Sequence, residues 1–333
     1  MSSSNLLLVA IPTVKPSLFE EQQKNRLLGI KERCKQRHQD MGNILTSTFK
    51  YNNDVRVVMC EVPKVASTTW QILLLRLGGF QENITKELRK KWDYSKIPNK
   101  QFNQLQNQTE ALFRMTNYTT FFLTRHPFER LVSAYFDKLS NRSSYQYYKN
   151  EVGKQIAKSQ ANEHLHGLHS RINPLTISRV DLEKREDFNN LTIQQQREVI
   201  EYIRVMKSGE ISFPQFVKFL VQQKLKNRVG DMDIHWRPQV QLCKPCAFNY
   251  NFILRFENIT YESNKLLDYI QEQNPSLTSR KITFPGKDRP FVKNEETAQL
   301  FEQISIKDVQ ALREIYADDF FILSHDPYLY GGV

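Results

Sequence analysis

Lys64, Ser67, Thr68 and Thr69 place one ammonium and three hydroxyls within six residues, in the stretch VRVVMCEVPKVASTTW from Val55 to Trp70. Groups of this kind hold an oxyanion. The apolar, β-branched run before them ends at Pro63-Lys64 and passes at once into small, hydroxylated residues. That order predicts a buried strand, a tight turn and a helix start. The first-turn amides of a helix have no partner inside it, and the helix dipole favours negative charge there. Pro63, Lys64, Val65, Ala66, Ser67, Thr68 and Thr69 are therefore read as a cradle for a phosphate or sulfate. It is not a Walker A loop, because no glycine lies between Glu61 and Trp70 and no GK[ST] ending follows.

A second stretch, TTFFLTRHPFERLVSAYFDK from Thr119 to Lys138, repeats the strand-to-helix order. Arg125 closes the predicted strand, and Pro127 suits a first helical turn. Leu131, Ala134, Tyr135 and Lys138 follow at helical spacing, with Arg130 on the same helix. Arg125 and Ser133 are expected to reach one anion from two sides. The competing reading pairs Arg125 and Arg130 with Glu129 or Asp137 on a solvated helix face. Two such units in this order favour anion binding.

Together these stretches resemble the phosphosulfate-binding pair of Golgi carbohydrate sulfotransferases related to the chondroitin and dermatan 4-O-sulfotransferases. VPKVASTTW looks like that family's loop for the 5′-phosphosulfate of PAPS (3′-phosphoadenosine 5′-phosphosulfate). RHPFERLVSAYFDK looks like its segment for the 3′-phosphate, with Arg125, Arg130 and Ser133 as the cofactor-binding residues it implies. HWRPQVQLCKPCAFNYNFILRFENI from His235 to Ile259 and IYADDFFIL from Ile315 to Leu323 also match, so the resemblance covers roughly residues 51–323. Ser67 stands where relatives often carry Cys, and Leu254 where many carry Gly. The resemblance implies an α/β fold, a P-loop-like parallel sheet flanked by helices, with PAPS as co-substrate and no required metal. It implies a catalytic domain over residues 51–333, after an N-terminal stem- or linker-like segment over 1–50.

Alternating elements fit that fold. Ile193 to Met206, Pro214 to Gln223, Tyr261 to Gln273 and Ala298 to Ala317 read as helical, and Phe252 to Phe256 as a short strand. Strands alternating with helices predict a parallel sheet covered on both faces. Such sheets bind ligands at the carboxyl ends of their strands, where Lys64 and Arg125 both fall. Residues 141–170 read as a polar insertion on the acceptor side.

Chemically, sulfuryl transfer needs an acceptor hydroxyl in line with the sulfur, stabilisation of the departing phosphate, and a base. Lys64 is expected to neutralise charge on the leaving group. His235, in the matched HWRPQ segment, is expected to be the base. A purely structural His235, bonded to backbone beside Trp236, is its rival. His126 is expected to point away from the pocket. His164, His166 and His169 form an HxHxxH run, read as a solvated loop rather than a metal site.

A net charge of +11 over 333 residues indicates an acidic partner. No nucleic-acid-binding signature is present, and the resemblance implies an acidic glycan or glycosaminoglycan acceptor, chondroitin or dermatan GalNAc O-4 first. A catalytically inactive glycan-binding protein on the same fold is the alternative; a kinase-like phosphotransferase lacks a recognisable magnesium carboxylate. Asn5 to Val14 is too short an apolar run to span a bilayer. A Golgi lumen or membrane setting is implied by the resemblance, with attachment only through an N-terminal anchor not recognisable here. Asn83, Asn107, Asn117, Asn141, Asn190 and Asn258 open N-x-[ST] sequons, in keeping with the secretory route. Cys243 and Cys246 form a CxxC without the second half of a zinc site, and predict a structural disulfide, with each other or with another cysteine. Cys60 is expected to pack as a small hydrophobe.

Overall fold

The structure is a computed structural model that describes residues 17–37, 48–79, 103–105, 107–161, 171–275, 281–285 and 294–330. In chain order the elements are α1 (Leu18–Lys35), β1 (Phe49–Asn52), β2 (Val57–Cys60), α2 (Ser67–Leu77), β3 (Asn103–Gln104), α3 (Gln108–Asn117), β4 (Thr119–Thr124) and α4 (Pro127–Lys138). A π-helical turn (Tyr148–Gly153) runs into α5 (Lys154–Ser159), followed by α6 (Arg179–Glu183), α7 (Glu186–Asn189), α8 (Ile193–Ser208), α9 (Phe213–Leu225) and α10 (Gln239–Cys243). Then come β5 (Phe252–Arg255), α11 (Ile259–Gln273), α12 (Asn294–Phe301), α13 (Ile306–Ile315) and α14 (Ala317–Leu323).

The strand order is β3-β1-β2-β4-β5. β2, β4 and β5 are parallel, in the register Val57↔Thr119 and Phe121↔Phe252. Their residues are almost all buried, as strands covered on both faces must be. The α/β expectation holds, but the sheet is not wholly parallel: β1 pairs antiparallel with β2, and β3 with β1. The cause is local. Asn52 Oδ1 accepts the amides of Asp54 at 2.9 Å and Val55 at 3.2 Å, closing a turn too short for a parallel crossover. Trp70 of α2 packs on Phe121 of β4 with ring centroids 4.6 Å apart, fixing the first crossover helix to the central strands. A second apolar cluster gathers α4, α8, α9, α12 and α13, with Phe128 stacked on Phe301 at 4.6 Å.

Within the N-terminal segment, Leu18–Lys35 forms a helix that packs on the sheet. Ser17 and Glu20 form a capping box, and Phe19, Gln23 and Ile30 are buried. α1 covers the exposed edge of β5: Gln23 Oε1 accepts the Ile253 amide at 3.0 Å, and an Arg26 guanidinium N–H donates to the Ile253 carbonyl. An uncovered edge would offer those groups to another chain. The polar insertion is likewise ordered over its described part, with Ile156 and Ala157 buried in α5, and His164, His166 and His169 lie outside the described residues.

The cysteines pair as Cys34–Cys246 and Cys60–Cys243. Both members of the CxxC thus reach distant partners, and the expectation of Cys60 as a free hydrophobe is corrected. It is buried in β2, but bonded. The bridges tie α1 and β2 to the α10 segment, closing loops of 212 and 183 residues. Cross-links of this kind remove unfolded-state entropy, and losing one typically costs about 2–5 kcal/mol.

Candidate functional site

β2 ends at Cys60, and residues 61–66 turn the chain into α2. Two non-glycine residues in this turn adopt positive φ, Lys64 at 73° and Ala66 at 65°. Each such residue costs of order 1–3 kcal/mol and persists only where the surroundings impose it. Ala66 is the N-cap of α2 and has no side chain to accept a bond; no acid stands in the first turn. The turn therefore leaves the helix start without the carboxylate or hydroxyl cap that most helices carry. Ser67 is buried, Thr69 half-buried and Thr68 exposed at this start, while Pro63 and Val65 are buried behind it.

Lys64 Nζ lies 3.1 Å from Asp137 Oδ2, and Lys138 Nζ lies 3.2 Å from the same oxygen. Both lysines are largely buried. Burial pulls the Lys64 pKa down, and Asp137 opposes that pull. The two ammonium groups in turn hold the Asp137 carboxyl below its usual range, against its own burial. Lys138 also sits 3.6 Å above the ring of Tyr145 and 4.9 Å from that of Tyr148, so aromatic faces share its charge.

Arg125 leaves the end of β4 almost fully buried. Its Nε bonds Glu129 Oε2 at 3.2 Å, an Nη donates to the Lys64 carbonyl at 3.4 Å, and the guanidinium lies 4.3 Å over Phe256. The Arg125–Glu129 pair weighed from the sequence is real, but buried at the carboxyl end of β4 rather than solvated. The same guanidinium reaches the anion-cradle loop. Ser133 is half-buried on α4.

Arg130 does something the sequence did not indicate. Its guanidinium is buried and donates to three carbonyls: Pro63 at 2.9 Å, Arg237 at 2.8 Å and Ile234 at 2.7 Å. It faces the cradle loop from behind and clamps that loop to the segment carrying His235.

His235 Nδ1 lies 2.7 Å from Asp233 Oδ1, and Tyr148 Oη bonds Asp233 Oδ2 at 3.0 Å. With Nδ1–H donated to the carboxylate, Nε2 carries the lone pair. Burial lowers the His235 pKa, Asp233 opposes this, and the charges of Lys138 and Lys64 lower it further. The histidine and the cradle lysine therefore share one electrostatic neighbourhood. His126 is turned elsewhere, as expected: Nδ1 accepts the Phe128 amide at 3.2 Å and Nε2 meets the Asp326 carbonyl at 2.8 Å.

With this geometry in place, the chain compares directly with known proteins. The sulfotransferase family matches residues 47–325, a span holding the cradle, Arg125, Arg130, Ser133 and His235. The chain belongs to the sulfotransferase family. Among curated proteins it is similar to carbohydrate sulfotransferase 8 of Homo sapiens, 28% identical over 277 residues, covering 81% of this chain and 53% of that protein. It is also similar to human carbohydrate sulfotransferase 9 (26% identical, 92% of this chain and 59% of that protein) and mouse carbohydrate sulfotransferase 11 (24% identical, 82% and 66%). The chain thus spans between about half and two thirds of these relatives' length. No solved structure matches it significantly.

Several residues of this candidate site escaped sequence reasoning. Asp137 was weighed only as a partner for arginine, and Lys138 only as part of a helical face. Asp233, two residues before His235, was the legible signal for an Asp–His pair. Gln239 and Asp319 stand in the family-like stretches, yet their roles needed coordinates. Gln239 Oε1 accepts the Arg125 amide at 3.0 Å, its Nε2 donates to the Arg125 carbonyl at 2.8 Å, and Asp319 accepts the Gln239 and Val240 amides at 2.8 Å each.

Arg130→Met should strand three buried carbonyls and lower unfolding free energy by about 3 kcal/mol or more, at about 1–3 per unsatisfied group. Arg130→Lys should recover less than half, since one ammonium does not reproduce a planar fork. Urea unfolding reads this directly. A Met variant as stable as wild type would show the clamp to be dispensable.

Proposed function

We propose that this sulfotransferase-family chain moves the sulfuryl group of PAPS to a hydroxyl of a glycan. The observation that carries the reading is the pairing of an uncapped helix start bearing Lys64 with an Asp233-backed His235 that feels the Lys64 charge. The groups present suit the donor: first-turn amides, the Lys64 ammonium and the hydroxyls of Ser67, Thr68 and Thr69 for the 5′-phosphosulfate, and Arg125 with Ser133 for the 3′-phosphate. Arg130 supports the same loop from within. PAPS supplies the transferable group and a phosphate that leaves readily.

The chain's own residues then have distinct tasks. Lys64 stabilises charge that develops on the leaving phosphate, in a site where burial strengthens its effect. His235 Nε2 accepts the proton of the acceptor hydroxyl while Asp233 holds the ring in that tautomer. The alternative, a glycan-binding protein without catalysis, retains the fold but gives Lys64 and the Asp233–His235 pair no task.

The acceptor reading rests on the net positive charge and on the carbohydrate sulfotransferase relatives. An acidic glycosaminoglycan is proposed, with chondroitin or dermatan GalNAc O-4 first. A Golgi-lumen setting is supported by two disulfides and by exposure of Asn107, Asn117, Asn141, Asn190 and Asn258, while Asn83 lies outside the described residues. No helix among the described residues is long and apolar enough to cross a membrane.

Calorimetry with adenosine 3′,5′-bisphosphate, the desulfated product, tests donor binding. Wild type should bind at micromolar concentration, Lys64→Ala and Arg125→Ala should lose detectable binding, and Ser133→Ala should weaken it by roughly 1 kcal/mol. No binding by folded wild type sinks the assignment.

For the base, His235→Ala should cut kcat by roughly 10²–10⁴ with nucleotide affinity unchanged. Because burial and the two ammonium groups lower its pKa, His235 stays neutral and competent below its ordinary value of about 6.5. The acid limb of kcat/KM should fall below that pH, and Asp233→Asn, removing the group that raises the pKa, should move it lower still. An acid limb indifferent to Asp233 would exclude the pair.

For the acceptor, labelled-sulfate transfer to chondroitin and dermatan should fall as salt rises, because exposed charges are screened beyond about 8–10 Å. Transfer confined to neutral N-glycans with a flat salt response would refute the polyanion reading.

A further inference from the structure

Three tyrosines, Tyr145, Tyr147 and Tyr148, fall within four residues beside His235, and they do different things. Tyr148 is the hub. Its hydroxyl bonds Asp233, and its ring meets the His235 ring edge-on with centroids 5.6 Å apart. Tyr145 lies 6.4 Å from Tyr148, also edge-on, and one of its faces is covered by the Lys138 ammonium. Tyr147 meets Tyr148 at 5.4 Å and 86°, yet is 66% exposed. A single exposed aromatic needs no explanation. Here, however, two ring-to-ring steps lead from a solvent-facing tyrosine to the proposed base.

The segment that carries these rings is held firmly. Tyr147 is the N-terminal boundary of the π-helical turn, a form concentrated at functional sites. Gly153 at the end of that turn crosses Gly209 so closely that a Cβ on Gly153 would lie 2.0 Å from the Gly209 carbonyl oxygen. Gly209, at φ 70°, would place its own Cβ 2.2 Å from the Lys149 carbonyl oxygen. Lys149 Nζ adds an ion pair to Glu210 Oε1 at 2.9 Å. Backbone-to-backbone contact of this kind leaves the tyrosines little freedom to move relative to α8. Rigid aromatic surface binds at small cost in side-chain entropy.

We infer that Tyr147, supported by Tyr148 and flanked by Tyr145, forms an acceptor ledge on which a pyranose ring of the glycan stacks through its C–H face. The inference rests on the glycan-acceptor reading of the preceding section and names the residue that grips the sugar. A pyranose presents an apolar patch of axial hydrogens to a flat ring and keeps its hydroxyls at the rim. Two ring contacts, of 5.4 Å and 5.6 Å, link Tyr147 through Tyr148 to His235, so the sugar on the ledge is taken to neighbour the one whose hydroxyl meets Nε2. Lys138 beneath Tyr145 gives this end of the site positive charge, suited to a carboxylated or sulfated neighbour. Tyr147 is a specificity-determining residue that binds acceptor and does no proton transfer.

The test measures acceptor KM, kcat and adenosine 3′,5′-bisphosphate affinity for wild type, Tyr147→Ala and Tyr147→Phe. The acceptors are chondroitin and dermatan octasaccharides, desulfated heparin and a neutral N-glycan, with saturation-transfer NMR reporting glycan binding. Tyr147→Ala should raise KM for the working acceptor about three- to ten-fold, the worth of one aromatic contact. Its kcat and nucleotide affinity should not change, and Tyr147→Phe should behave as wild type. An unchanged acceptor KM in Tyr147→Ala overturns the ledge, as does a Phe variant as impaired as the Ala variant, which would assign the effect to the hydroxyl. Wild type that holds the nucleotide but neither binds nor sulfates any of these glycans also overturns it, while leaving the donor site intact. If wild type binds no nucleotide, the function of the preceding section falls. The ledge is then decided by whether Tyr147→Ala loses saturation transfer to glycans that wild type retains.

Discussion

A single buried guanidinium sets the relation between the two halves of the site. Arg130 donates to the carbonyls of Pro63, Ile234 and Arg237 and has no carboxylate within ion-pair distance among the described residues. A charge taken out of water without a paired anion is costly, and three short bonds to carbonyl dipoles offset that cost. Arginine's five donors, set in a planar fork, let it bond three carbonyls on two separate segments of chain at once. One carbonyl belongs to the cradle loop and the other two flank His235, so the side chain spans the join between donor loop and base. Moving either segment would break bonds to a group that cannot become neutral. Geometry at the site therefore depends on a residue whose guanidinium is spent on backbone.

The rest of the scaffold is a series of similar polar clasps. Gln239 grips both backbone groups of Arg125, and Asp319 caps the amides of Gln239 and Val240. Burial pushes the Asp319 carboxyl up to about 6, while the amides it accepts oppose that rise. Tyr316 donates to the Trp236 carbonyl at 2.6 Å. These contacts run from the cradle to the Arg125 strand end, on to the His235 segment, and finally to α14. They bring four stretches far apart in sequence together around one candidate site. Outside them the chain needs only to fill the two apolar clusters, a looser requirement.

How far this could be read in advance follows from what each feature depends on. The strand–turn–helix at Val55 to Trp70 and its repeat at Thr119 to Lys138 were legible, because period and turn chemistry are local. Helices such as α8 and α9 were legible for the same reason. The antiparallel β1 was not foreseen, because its short Asn52 turn lies before the run that drew attention. What the charged residues of α1 did not reveal is that two polar side chains, Gln23 and Arg26, are used against a strand edge. Cysteine pairing is set by tertiary proximity, which spacing does not encode. Lys64 and His235 were recognisable by residue type and context, whereas the inward turn of Arg130 depends on carbonyls some hundred residues away.

Charge arrangement explains how such a site keeps buried cations ready for an anion. Lys64 and Lys138 share Asp137, Arg125 pairs with Glu129, and His235 leans on Asp233. Without Asp137, burial would pull Lys64 further toward the neutral amine and waste its charge. With too many carboxylates, the field would cancel. Here one acid serves two ammonium groups, so the Lys64–Asp137–Lys138 trio retains a net positive charge beside a helix start that adds its own. Burial first, and then the same field, pulls the His235 pKa down, since a second positive charge there meets Lys138 and Lys64. Anion binding and base catalysis ask opposite things of nearby nitrogens. In the proposed reaction one group of cations meets both demands, attracting the negative ligand and disfavouring a proton on the imidazole.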